Sequence, residues 1–128
     1  MGARLSIRLK RAYEEPALDD GTRVLIDRLW PRGVSRKQLR IDRWARELAP
    51  GDELRRWFDH QPERYEEFVA RYAAELALRR PALAELRRIA SGGRLTLVFA
   101  ARDSENCNAS AMARFLRAGL PARAATDG

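Results

Sequence analysis

At 128 residues the chain has the length of one domain and can bury roughly two thirds of its unfolded surface around a single core. Its apolar fraction of 45% is ordinary for a globular protein, and its apolar runs fall far short of the roughly 20 residues a membrane span needs. A lone cysteine, Cys107, and a lone histidine, His60, exclude an internal disulfide and argue against a protein-only transition-metal site, so neither metal nor cofactor is expected. The start, MGARLSIRLK, carries no apolar stretch of a secretory leader, which makes the cytoplasm the default expectation and a membrane partner unexpected. The net charge of +7 attracts phosphates and polyanions. Of the 25 basic residues only Lys10 and Lys37 are lysine, and runs such as Glu63-Arg64-Tyr65-Glu66-Glu67 read as solvated, salt-bridged helix faces.

Leu5, Ile7 and Leu9 alternate with Ser6, Arg8 and Lys10, the period of a half-exposed first or edge strand ending at Lys10-Arg11-Ala12-Tyr13. The stretch with Pro16 and Asp19-Asp20-Gly21 is too short for an ordinary crossover helix and reads as a loop or one short turn. Val24, Leu25, Ile26 and Leu29 then suit a strand buried on both faces, which delivers Asp27, Arg28, Trp30 and Arg32 to its carboxyl end. Ser35 is placed to cap a helical turn, and Asp42 to cap a second segment holding Trp44 and Leu48. Asp52-Glu53 opens a third short helix through Phe58. Tyr65, Phe68, Val69, Tyr72 and Leu76 fall at helical spacing and predict a long helix over about Pro62 to Arg79, broken by Pro81. Leu83, Leu86, Ile89 and Ala90 outline a further helix stopped by Gly92-Gly93. Leu95 to Ala101 reads as a central parallel strand, the polar loop Arg102 to Asn108 follows, and Ala109, Met112, Phe115 and Leu116 give a last helix closed by Gly119 and Pro121. Residues 122–128 read as a frayed tail. The pattern predicts a single α/β domain, with a small, mainly parallel sheet covered by helices.

If the two apolar strands are parallel neighbours or flank the first strand, their charged carboxyl ends face each other across a cleft, where open α/β sheets build ligand sites. Arg28 and Arg32 suit a guanidinium clamp on a phosphate or carboxylate, with Trp30 as a flat wall. The other reading makes Trp30 a core residue under the loop and pairs Arg28 with Asp27 or Asp42. The N–H groups that open the helix after Asn108 are expected to complete an anion's coordination. Cys107, at that helix start and near Arg102, is a weak candidate nucleophile, the alternative being a small residue filling space. His60 is a weak candidate base, the alternative being a cap or surface residue of its turn.

At DRLWPRGVSR, APGDELRRWFDH and LTLVFAARDSENCNASAMARFL the chain resembles the YeaO-like branch of the domain-of-unknown-function (DUF) 488 family over nearly its whole length. Family members similarly carry a Lys-Arg-x-Tyr end to the first strand, here Lys10-Arg11-Ala12-Tyr13, and the Asp-Arg-Leu-Trp-Pro-Arg-Gly stretch, here Asp27 to Gly33. The resemblance implies a compact α/β domain of bacterial or archaeal origin and no established reaction. Where members often have Asn-His-Ala and distant relatives Cys-His-Arg, this chain has Cys107-Asn108-Ala109, so a titratable histidine is replaced. The ligand-binding set expected is Lys10, Arg11, Tyr13, Asp27, Arg28, Trp30, Arg32, Arg102 and Asn108. The leading functional expectation is binding of a phosphate-bearing or other anionic small molecule in the cleft, with or without a reaction. Its competitors are a nucleic-acid-binding or regulatory protein, motivated by the charge and by three short helices between Ser35 and Phe58, and an interaction module without a ligand.

Overall fold

The computed structural model describes residues 4–121, so the tail expected at 122–128 lies outside the described residues. The alternating segment at the start becomes β1 (Ser6–Arg11), partly exposed along its whole length as an edge strand should be. A 3₁₀ turn at Leu18–Asp20 leads to β2 (Thr22–Leu25). There follow α1 (Arg36–Leu39), β3 (Arg43–Trp44), a 3₁₀ turn at Arg46–Leu48 and α2 (Asp52–Phe58). Then come α3 (Tyr65–Leu76), α4 (Arg80–Gly92), β4 (Arg94–Phe99) and α5 (Asn108–Ala118). All four strands are parallel, in the order β1-β4-β2-β3. Of the two arrangements left open, the two apolar strands are parallel neighbours, with Leu25 opposite Val98, and Ile26 and Val98 are fully buried.

Strand period splits the core in two. Val24, Leu95, Leu97 and Phe99 pack with Leu54, Phe58, Phe68, Tyr72, Leu86, Met112 and Phe115 from α2 to α5. On the other face Leu25 and Val98 meet Ala12 and Leu39, with Trp30, Val34, Ile41 and Trp44 packed around them. The rest of that second face is electrostatic. Asp20, fully buried, accepts from Arg8 at 2.8 Å, Lys10 at 3.1 Å and Arg23 at 2.7 Å, while its backbone carbonyl takes the Thr96 hydroxyl at 2.6 Å.

The long helix forms where its spacing places it: 3₁₀ turns at Pro62–Arg64 and Ala77–Arg79 flank α3, and Tyr65, Phe68, Tyr72 and Leu76 are all buried. Ser35 caps α1 in a reciprocal box with Gln38.

Three expectations are corrected. Leu29 is 63% exposed and outside β2. Ile26 still donates to the Val98 carbonyl at 3.1 Å, but at the next ladder position the Asp27 carboxylate takes the Ala100 N–H at 2.9 Å, so a side chain ends the ladder and the backbone turns away before Leu29. Asp42 caps no helix: its carboxylate accepts from the Arg23 N–H and its own N–H donates to the Arg23 carbonyl, both at 2.8 Å, which docks Arg43-Trp44 beside β2 as a strand. The stretch from Ser35 to Phe58 therefore holds two short α-helices with a strand and a 3₁₀ turn between them, and no helix-turn-helix.

Candidate functional site

The carboxyl ends of β2 and β4 open into a cleft of about 450 Å³. Its lining joins the loop after β2 (Asp27, Arg28, Leu29, Trp30, Pro31, Arg32), the end of β4 (Ala100, Ala101) and the entry to α5 (Cys107, Asn108). Tyr13, Pro50, Arg55, Phe58, His60 and Phe68 complete it.

Asp27 is the one acidic residue of this lining. One carboxylate oxygen accepts from the Ala100 N–H and the other from the Asn108 amide, each at 2.9 Å. Asn108 also donates to the Ile26 carbonyl at 3.2 Å, so this first residue of α5 ties the helix to the end of β2. Burial pushes the Asp27 carboxyl above the usual carboxylate range, against the opposing pull of the Asn108 amide, the Ala100 N–H and His60. No salt bridge reaches Asp27 among the described residues.

Two tryptophans frame the loop. Trp30 donates its indole N–H to the Val34 carbonyl at 2.6 Å and meets Trp44 edge to face, with ring centres 5.4 Å apart. Trp44 in turn donates to the Asp27 carbonyl at 2.7 Å, holding the backbone at the point where the strand stops. Trp30 packs on the second core and also lines the cleft.

The arginines differ in their engagement. The Arg28 side chain meets Asp52 at the head of α2 at 3.0 Å, rather than Asp27 or Asp42, and Asp52 is shared with Arg55 at 3.2 Å. Arg32 lines the cleft, is exposed, and forms no ion pair among the described residues. Arg11 spends its guanidinium on the Ala101 and Ala100 carbonyls at 2.9 and 3.1 Å, clamping the end of β4, and lies over the half-exposed Tyr13 ring. Lys10 points to the opposite face and joins the Asp20 cluster. Arg102 is exposed and is not part of the cleft lining. Of the nine expected ligand residues, six line the cleft: Tyr13, Asp27, Arg28, Trp30, Arg32 and Asn108. Arg11 supports it from behind.

Cys107 caps α5 and is only 3% exposed. Burial pushes its thiol up, and the nearby Asp27 charge adds to this. The Ser110 and Ala109 N–H groups pull the other way without prevailing. Those N–H groups face the Cys107 sulfur. His60 and its neighbour Asp59 both hold left-handed backbone angles, φ 55° and 47°, a strained pairing for non-glycine residues that sets the imidazole on the cleft wall.

Sequence reasoning missed Arg55, Phe58, Phe68 and Pro50. The first two sit on a helix whose own pattern speaks only of burial and surface charge, and nothing local in the sequence brings that helix over the strand ends.

A family model described as the inactive DUF488-N3 subclade matches residues 6–128. Uncharacterized proteins of Mycobacterium tuberculosis and Mycobacterium bovis are each 43% identical over 110 residues, covering 86% of this chain and 92% of theirs. The uncharacterized protein YeaO of Escherichia coli is 37% identical over 113 residues, 88% of this chain and 98% of its own. No solved structure gives a significant match. With the family match spanning β1 to the last helix and bacterial relatives aligned over most of their length, the chain belongs to the DUF488 family as a YeaO-like member.

Proposed function

We propose that this protein binds a phosphate-bearing or otherwise anionic small molecule in the cleft at the strand carboxyl ends, and holds it without turning it over. The observation that carries the reading is the rim: Arg28, Arg32 and Arg55 converge on one cleft of about 450 Å³, a volume suited to a small ligand. Arg32 is the foremost anion ligand, because it has no carboxylate to give up. Arg28 has to leave Asp52, which offsets part of what it gains.

Binding without chemistry is favoured by three features. The matching subclade is described as inactive. The Cys107 sulfur is buried and disfavoured as a thiolate. Asn108, in the position where many family members carry histidine, cannot move a proton at ordinary pH. The nucleic-acid reading retains only the net charge, since the segment that suggested a helix-turn-helix contains β3.

Calorimetry or thermal shift against a panel of nucleotides, sugar phosphates and inorganic phosphate tests this. Saturable binding is expected, with Arg32→Ala weakening it by roughly 1.5 to 3 kcal/mol, the scale of a charge-assisted hydrogen bond, and Arg28→Ala by less. Absence of saturable binding across the panel, or undiminished binding by both variants, overturns the proposal.

A further inference from the structure

We infer that the cleft is a nucleobase pocket selective for guanine nucleotides, with Asp27 reading the adjacent ring and amino N–H donors of the base. The inference rests on the anion-binding reading and adds the identity of the other end of the ligand.

The first observation is the state of Asp27. Each of its oxygens accepts one neutral donor, from Ala100 and Asn108, and each retains a further lone-pair direction. The carboxylate is thus oriented and held, while no cation pairs with it among the described residues. A partly buried carboxylate hydrogen-bonded only to neutral donors is relieved by a ligand that brings further donors to it.

The second observation is the aromatic part of the lining: Trp30, half-buried, shares the cleft with Asp27 and the arginines, and the buried Phe58 and Phe68, stacked on each other at 4.3 Å, back it. Flat apolar surface of this kind favours a planar ring. A ligand with hydrogen-bond donors, a planar ring and a negative charge matches a lining that holds a carboxylate, an indole and three arginines. Nucleotides have those parts.

The choice among bases follows from the acceptor pair. An ionised carboxylate offers acceptors only, so the edge that meets it must offer adjacent donors. Guanine presents N1–H and the 2-amino group side by side, and the two bonds run parallel as in an arginine–carboxylate fork. Adenine and cytosine place a ring-nitrogen acceptor beside their amino group, which the carboxylate repels. Uracil and thymine place one N–H between two carbonyls. Hypoxanthine keeps N1–H and lacks the 2-amino group, which makes inosine monophosphate the sharpest comparison.

Titrate the wild-type protein with GMP, IMP, AMP, UMP and ribose 5-phosphate, following tryptophan fluorescence and calorimetric heat. GMP is expected to bind at least about tenfold more tightly than IMP, with AMP, UMP and ribose 5-phosphate weaker again. Asp27→Asn is expected to erase the preference for GMP over IMP while retaining ribose 5-phosphate binding. Arg32→Ala is expected to weaken every phosphate ligand by a similar factor and leave the base preference unchanged. Because Asp27 also ends β2, its variant can fail to fold, and the wild-type GMP to IMP ratio decides the matter without it. Equal affinity for GMP, IMP and ribose 5-phosphate overturns the base assignment and leaves the anion cleft standing. No binding by any of the five overturns both.

Discussion

Asp20 and Asp27 are both removed from water, and their surroundings drive them in opposite directions. Burial alone would push Asp20 up, but the Ala17 N–H and the side chains of Lys10, Arg8 and Arg23 together hold it well below the usual carboxylate range. A depressed carboxyl contributes stability that is present above its unfolded value of roughly 4 and is lost as pH falls through the folded value. Asp27 has the opposite sign: its contribution is present below roughly 4 and is lost as pH rises through its raised folded value. Asp20→Asn is expected to cost about 3 kcal/mol or more, because three cations then lack their shared carboxylate, and to flatten the acid limb of a plot of unfolding free energy against pH. An unchanged acid limb in urea titrations would show that Asp20 is not the group responsible. Next to it, Gly21 has φ 67°, and an added Cβ would lie 2.2 Å from the Arg94 carbonyl oxygen. Gly21→Ala is therefore expected to destabilise by about 3 kcal/mol through strain and overpacking, read as a lowered urea midpoint with little change in slope. The sequence marks Asp20-Gly21 as a turn, but its closeness to Arg94, far along the chain, is not written in any local pattern.

At the scale of elements, the segments with an apolar period or a clear helix start were legible, the short α1 and α2 among them, and the two-residue β3 was not. Tyr65, Phe68, Tyr72 and Leu76 specify α3 because four residues at helical spacing leave one solution, and all are buried. Phe68, 2% exposed and stacked on Phe58, is expected to cost roughly 3 to 5 kcal/mol on replacement by alanine, while Leu78, 84% exposed at the end of the same helical run, is expected to cost under about 0.5 kcal/mol. Equal losses from the two, measured by thermal unfolding, would contradict the assigned face. β3 escaped detection because two residues show no alternation; its pairing is decided by Asp42 reaching the Arg23 backbone. The end of β2 was likewise set by a side chain, Asp27, replacing a backbone acceptor, and apolarity carried the expected strand on to Leu29.

For the whole molecule, two apolar runs ending in charge were enough to predict a cleft, and the parallel pairing of β2 with β4 produces it. What was not legible is how α2 closes that cleft, since packing of a helix over strand ends depends on long-range contacts with α3. The sheet is also asymmetric: the longer helices cover one face, and α1, loops and the Asp20 cluster cover the other. A ligand that engages Asp27 and Arg32 joins the β2 loop to the entry of α5, so it should stabilise the fold as a unit. At a concentration of one hundred times its dissociation constant, stabilisation of about 2.7 kcal/mol is expected from mass action. The check is a dose-dependent rise in the unfolding midpoint that Arg32→Ala shifts to higher concentration.

The order β1-β4-β2-β3 seats the last strand to be synthesised between the first two. Until Arg94–Phe99 has left the ribosome β1 has no hydrogen-bonding neighbour and β2 has only the two-residue β3, so the edges of β1 and β2 that β4 will fill wait unpaired. Folding of this topology is dominated by distant pairings and is correspondingly slow. The insertion of β4 is thus a single late event that zips the sheet from both sides and, in the same motion, brings Ala100 to Asp27 and assembles the cleft. The pocket and the fold are completed together, and a nascent chain has no ligand site to offer before its architecture is closed.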